Sequence, residues 1–402
     1  MSVSHAVVPG IESPALEGGT EHGRGADTGP AQGLLAMLAQ VSDPRDPRGV
    51  RHSLTAVLAV AVITTLSGAK NHREMGDHAD DLPQDLLWLA GARFCPSHGR
   101  YRAPSGSTLY RVLTSLDAAE LDLRVGTWLR EFAAGSPAEW VVALDGKVLR
   151  GAWDENGMLT LFSAMLHTHG TMLGQVAVPA GTNEITQVEP LLAPMDLRGA
   201  LITADAAHTQ DDTARHIVED KQADYLLTIK GNRPNLLKAA IAARTALITS
   251  GPAHHVTQQH ARGRINTWST WTCGATAVDG LDLPHAAQLG VIRRDVTEAT
   301  GQPLRKEFAI VVTSRAADRL DAAGIDRHTR GHWGVENLEH RCRDTVWDED
   351  DRQAYLGSGP QVLATLRNLA LSLLRRSGVT EITRTVQKIG RNPMRALHLI
   401  AT

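Results

Sequence analysis

Residues 139–180 read EWVVALDGKVLRGAWDENGMLTLFSAMLHTHGTMLGQVAVPA. Three β-rich runs, EWVVALDG, MLTLFSAMLH and TMLGQVAVPA, are separated by turn residues such as Glu155, Asn156, Gly157 and Gly170, the pattern of an antiparallel meander. The first run ends in Asp145, a carboxylate at the tip of an apolar, β-branched segment. Working outward, RGALITADAA is a fourth strand ending in Asp205, the helical DDTARHIVEDKQ follows, and ADYLLTIKG is a fifth strand, an order that suits a mixed α/β sheet. A third acid, Glu336, lies far downstream in HWGVENLEHRCRD. There Val335, Leu338, Cys342 and Val346 fall at helical spacing and form one apolar stripe, while His332, Glu336, His340 and Arg343 share the opposite, polar face.

Carboxylates at the ends of buried strands need a physical reason. Taking ionised oxygens out of water is costly unless cations or donors compensate them, and Mg²⁺ or Mn²⁺ held by a few carboxylates, waters and phosphate oxygens is a common compensation. Phosphoryl transfer on nucleic acid is therefore the leading chemistry. Lys147 and Arg150 closely follow the first acid, and Lys230 and Arg233 lie in the turn IKGNRP after the fifth strand, so all four are candidates for phosphate contacts, against the plainer reading of surface charge. Asp344, Glu349 and Asp350 are rival carboxylates for the third position, and Trp333 either stacks on a displaced base or packs in the core. His332 and His340 bracket Glu336 as H-x-x-x-E-x-x-x-H, which is not the HExxH of zinc proteases.

The bulk numbers leave room for this. A chain of 402 residues, 42% hydrophobic, can bury a large core and is long enough for two or three structural units. Its formal charge of −3 excludes a protein basic all over, so contacts with DNA must come from local patches. From position 352 onward, Arg352, Arg367, Arg375, Arg376, Arg384, Lys388, Arg391 and Arg395 stand against Glu381 alone, either a DNA-facing stretch or a solvated helical tail. Cys95, Cys273 and Cys342 are widely spaced without a CxxC pair, and the C-x-x-H of Cys95 and His98 has no second pair nearby, so neither a disulfide framework nor structural zinc is indicated. The N-terminus lacks a secretory pattern and the apolar run 54–69 is too short to span a bilayer, so a cytoplasmic, nucleoid-associated protein without membrane contact is expected.

Residues 1–30 are rich in Gly, Pro, Glu and Ser and are expected to be a disordered tail. Residues 31–135 read as a helical, DNA-binding domain: a helix over 34–41, the turn SDPRDPRGVRHS, a buried helix from Leu54 capped by Ser53, then Leu109, Val112, Leu113 and Leu116 at helical spacing after Ser105 or Ser107, and a further segment from Ala118. The catalytic core is placed at 138–350, with an insertion over about 235–315 that begins as a helix and continues as short β-like pieces, and basic helices close the chain over 351–402.

Several blocks carry a resemblance. DGKVLRG, TNEITQVEPLLAPMDLRGALITADAAHTQ, ADYLLTIKGNRPNL, RGHWGVENLEHRCRDTVWDEDDRQAY and GPQVLATLRNLALSLLR resemble, in order and spacing, the ISAs-type DDE transposases of bacterial insertion sequences, also called H-repeat-associated proteins. The likeness runs over residues 35–374, and LLAMLAQVSDPRDPRGVRHSLTAVLAVAVITTLSGAKNHREMGDHA resembles the helical segment ahead of that family's catalytic core. The resemblance implies an RNase H-like mixed sheet, preceded by the helical domain and followed by C-terminal helices. It also implies an Asp-Asp-Glu triad on Asp145, Asp205 and Glu336, which would hold two Mg²⁺ or Mn²⁺ ions about 4 Å apart, with Asp145 bridging. A basic residue seven positions after the glutamate is a feature of related DDE families, and Arg343 stands there; with His332 it is a further candidate for DNA contact. The implied activity is cleavage at terminal inverted repeats and joining to target DNA, by a homo-oligomer when bound to DNA, with water and then a 3′-hydroxyl as nucleophile. Gly181, where relatives commonly carry lysine, and Asn266 and Trp268, where GRIET-R is usual, depart from the pattern. A catalytically silent, domesticated DNA-binding relative and a nuclease that cuts without joining are the alternatives.

Overall fold

The computed structural model describes residues 30–133, 135–154, 157–351 and 356–401. The tail expected over 1–30 thus lies almost wholly outside the described residues, as does Arg352. A small hairpin, β1 (Arg93–Cys95) and β2 (Arg100–Arg102), stands apart from the main sheet. The main sheet begins with the expected meander, β3 (Val141–Asp154), β4 (Gly157–Leu166) and β5 (Met172–Val178), all antiparallel. β6 (Leu201–Ala204) then lies parallel to β3 on its other side, and β7 (Asp224–Thr228) parallel to β6. This places the five strands in the spatial order third, second, first, fourth, fifth, the RNase H-like arrangement. The short parallel strands are buried on both faces, which explains why they read as continuous apolar runs without alternation.

β3 runs on well past Asp145, so the acid sits within the strand and not at its end. Pairing with β4 continues through Lys147 and Val148, and the register then slips before Trp153. The stretch expected as an insertion starts with the helix Pro234–Ser250, and its strands extend the same sheet. β8 (His255–Ala261), β9 (Arg264–Gly274), β10 (Gln288–Glu298) and β11 (Pro303–Thr313) form an antiparallel ribbon whose last strand joins β7 through Val311, Val312 and Thr313. Among the described residues the result is a nine-stranded sheet.

Helices cover both faces. One face, with Val142, Leu144, Ile202, Tyr225 and Leu227, packs on the segment around Leu191 and on the helix Pro234–Ser250. The other face carries Ala143, Met165 and Met172 into a large core shared with the N-terminal helices and with Gly359–Arg376. The helix Leu54–Leu66, apolar on every side, is buried along nearly its whole length, as expected for a central helix, and its Ser53 cap accepts the Ala56 N–H at 3.2 Å. Ser105 caps the helix Gly106–Leu113, and Asp117 caps Ala118–Glu131. The two helical segments at either end of the chain therefore share one apolar interior.

Candidate active site

The parallel register of β3 and β6 pairs Val141 with Leu201 and Leu144 with Ala204. Carried one residue further, it sets Asp205 beside Asp145 on adjacent strands, roughly 5 Å apart at the backbone. Both acids, with Thr203, face the side of the sheet crossed by the helix Ala322–His332 and by the wide, five-residue turn Glu336–His340 that continues it. Glu336 projects from that turn, exposed, and Asp145, Asp205 and Glu336 line one cleft of about 580 Å³ together with Lys230, His332 and Trp333. The three expected acids thus share one cleft.

Burial pushes the Asp145 carboxyl up to about 7, helped by the charges of Glu339, Glu184 and Asp205 and partly offset by the Gly146 N–H, which donates to Asp145 Oδ1 at 3.0 Å. His340 Nδ1 is 3.8 Å from the other Asp145 oxygen. Asp205 caps the short turn Ala206–His208, its Oδ1 accepting the Ala207 N–H at 2.9 Å. His332 Nδ1 shares the Thr203 hydroxyl at 3.0 Å, and His167 Nε2 meets the same hydroxyl at 2.9 Å. Burial holds His332 down at about 4, so near neutral pH it is an uncharged imidazole that can hydrogen-bond a phosphate or base without attracting it as a cation. Among the described residues no three His, Cys, Asp or Glu side chains stand close enough to grip one ion as placed. Among the described residues these acids are hard oxygen donors without a Lys or Arg partner, a set whose chemistry fits a hard divalent cation.

Two expected DNA contacts are corrected. Arg343 is fully buried, donating to Glu339 at 2.9 Å and to both oxygens of Glu349 at 3.0 and 2.8 Å. Lys147 is buried beside it, 2.9 Å from Glu349, 2.5 Å from Asp344 and 3.7 Å from Asp350. Arg367 closes the knot on Glu349 at 2.7 Å. The wide turn explains the error: its extra residue rotates everything after it, so Arg343 leaves the face of Glu336 and joins Glu339 on the interior side. The same knot engages the rivals Asp344, Glu349 and Asp350 and ties β3 to the helix Arg341–Trp347 just below Glu336.

The other candidates divide. Lys230 is exposed in the cleft, and Arg150 is exposed with Asp350 at 3.8 Å. Arg233 is half-buried and paired with Asp211 at 2.8 Å, which leaves it less free to meet a phosphate. Of the basic C-terminal stretch, Arg367 and Arg375 turn inward, Arg375 donating to the carbonyls of Gly170 and Leu338, while Arg384, Lys388, Arg391 and Arg395 are exposed. Glu339 and Glu184 were missed as neighbours of Asp145. The Glu339–Arg343 spacing of four was a legible signal, whereas nothing local marks Glu184, whose approach is long-range.

Residues 136–373 match the family model described as Transposase DDE domain, and residues 35–129 match the one described as DDE_Tnp_1-associated. YncI of Escherichia coli O157:H7, a transposase by its name, is 28% identical over 354 residues, covering 86% of this chain and 87% of its own. YhhI of Escherichia coli strain K12, named as H repeat-associated, is 25% identical over 359 residues, covering 86% and 91%. Among solved structures, the cryo-EM structure of the piggyBac transposase synaptic complex with hairpin DNA covers 90% of this chain and 77% of its own at 11% identity, with a TM-score of 0.41.

Proposed function

Since the chain belongs to the family of transposases with a DDE domain, we propose that it cuts DNA at the terminal inverted repeats of an insertion sequence and joins those ends to target DNA, using Asp145, Asp205 and Glu336. The observation that carries this reading is the meeting of those three acids in one cleft, two on adjacent parallel strands and the third on the helix that crosses them. Two Mg²⁺ or Mn²⁺ ions held by the triad would activate the attacking oxygen and stabilise the leaving one.

The chain's own residues do the rest. Asp145, held within β3 by its pairing with Ser163 of β4, is the fixed member, and Asp205 and Glu336 approach from a strand end and a helix. Lys147, Arg343 and Arg367, buried and paired with Asp344 and Glu349, tie β3 to the Glu336 helix and are not proposed as DNA contacts. Lys230, exposed in the cleft, would bind a phosphate beside the scissile bond, Arg150, exposed outside it and facing Asp350, would meet one further along the strand, and Trp333, more than half exposed at the cleft, offers a stacking face. In cleavage, a water oxygen attacks the phosphorus and the 3′-oxygen leaves with a proton; in joining, that 3′-hydroxyl attacks a target phosphodiester, so phosphodiester bonds are exchanged without a covalent protein link. Joining calls for two ends at once, and hence for a homo-oligomer on DNA.

The test is a Mg²⁺-dependent assay on labelled inverted-repeat ends. Strand transfer by the parent protein, with Asp145→Asn reducing it by at least about a thousandfold while DNA affinity stays within about twofold, is the expected result. Binding without any cleavage would make the chain a silent relative, and hydrolysis without joining a nuclease.

A further inference from the structure

We propose that Glu184 is a fourth acidic member of the cation site, acting with Asp145 and Asp205; this rests on the reading of those two as cation-binding acids. Glu184 opens the short turn Glu184–Gln187 after β5, fixed by Asn183, which accepts the Ile185 N–H at 3.1 Å. From there its carboxylate folds back onto β3 and fills the space that a Cβ would take at Gly146, the residue directly after Asp145. Gly146 is therefore required by this close approach, not by a turn. The charges of Glu184 and Asp205 both reach Asp145. Residues 145 and 146 alternate across β3, so Glu184 reaches Asp145 by its charge from the other side of the strand, while His208 stands beside both Glu184 and Asp205; among the described residues no Lys or Arg pairs with any of the three acids. Like charges gathered in this way call for a cation from solution.

A second observation points to the same ion. His208 is 1% exposed and stacked on Phe162, with ring centroids 4.9 Å apart, and neither of its ring nitrogens has a hydrogen-bond partner. Its Nε2 stands 3.7 Å from Glu184 Oε2 and 4.0 Å from Asp205 Oδ1. A buried imidazole suspended just outside bonding reach of two acids marks a cluster that tightens when those acids gather around an ion. Both have the freedom to do so, since the Asp205 side chain is half exposed and that of Glu184 one-third exposed.

Calorimetric titration of Mn²⁺ alone into the full chain, without DNA, tests the proposal. Glu184→Gln keeps the shape and removes the charge, and it is expected to weaken Mn²⁺ binding roughly tenfold or more with an unchanged melting curve. Gly146→Ala displaces the Glu184 carboxylate without replacing any acid, and is expected to weaken binding to a similar degree. Asp145→Asn is the reference. Loss of binding in Asp145→Asn with full binding in both other variants overturns the role of Glu184 and leaves the reading of Asp145 standing. Full binding in all three variants, or no Mn²⁺ binding by the parent chain, overturns both.

Discussion

At the scale of single residues, the chain spends much of its charge inside. Arg343, with no exposed surface, is held by two glutamates, and removing it would strand both Glu339 and Glu349 in the interior. Breaking one side of a buried ion pair is far more damaging than the pair's net worth, so Arg343→Ala is expected to lower unfolding stability by about 3–5 kcal/mol in urea titrations. Arg343→Lys should recover only part of it, since one ammonium cannot fork across two carboxylates. A loss of DNA affinity in Arg343→Ala without loss of stability would contradict this account. Asp122 is the second buried charge of consequence: it accepts from Thr365 at 2.5 Å, Gln361 at 2.7 Å and Gln175 at 3.1 Å. Burial nevertheless raises its carboxyl to about 6 from an ordinary value of 3.8. A raised acid stabilises the fold fully below its unfolded value, and that contribution drains as pH climbs through its folded value. Relative to Asp122→Asn, the parent should lose up to about 3 kcal/mol between about pH 4 and pH 8, and a flat difference would disprove the shift.

At the scale of elements, the meander, the fourth and fifth strands and the helix caps at Ser53 and Ser105 were legible because period, turn chemistry and capping are local signals. The joint cleft of Asp145, Asp205 and Glu336 was legible from the resemblance, although Asp145 lies within its strand and not at the end expected for it. What escaped was non-local or rested on a change of winding. The wide turn Glu336–His340 has no compositional mark, so a uniform helix put Arg343 on the wrong face. Lys147 looked like a phosphate ligand because its partners Asp344 and Glu349 lie about two hundred residues away in sequence. The helix Ile382–Arg391 shows the opposite case: Ile382, Val386 and Ile389 are buried while Arg384, Lys388 and Arg391 are exposed at helical spacing. If that basic face lies along phosphates, replacing its three cations by alanine should flatten the dependence of log affinity on log salt by about 2–3. Arg375→Ala, which removes a cation bonded to Gly170 and Leu338 instead, should leave the slope alone and lower the melting temperature. Equal slopes in both variants would make this helix plain surface.

At the scale of the whole molecule, a continuous polar seam runs through the apolar interior. Asp122 leads through Gln175 and Asn368 to Arg343 and Glu349, and from there to Lys147 on β3, so the N-terminal helices, the sheet and the helix Gly359–Arg376 are bonded to the elements that carry the site. Trp347 adds another tie, its indole N–H donating to the Thr65 carbonyl at 3.0 Å from a fully buried ring. The helical segment ahead of the sheet thus shares its apolar core with later parts of the chain. A fragment of residues 30–133 is expected to show helical signal without a cooperative thermal transition, and a sharp transition would mark it as an independent domain.

The position of the helix Gly359–Arg376, late in the chain yet central in the packing, sets a schedule for synthesis. The apolar surfaces of Leu54–Leu66 leave the ribosome first and wait for a partner encoded some three hundred residues later. At typical elongation speeds that wait lasts on the order of 15–60 s. During it those surfaces stay exposed, and a gene copy interrupted near its end is expected to yield a chain that does not fold, because such a break removes the keystone and not the rim.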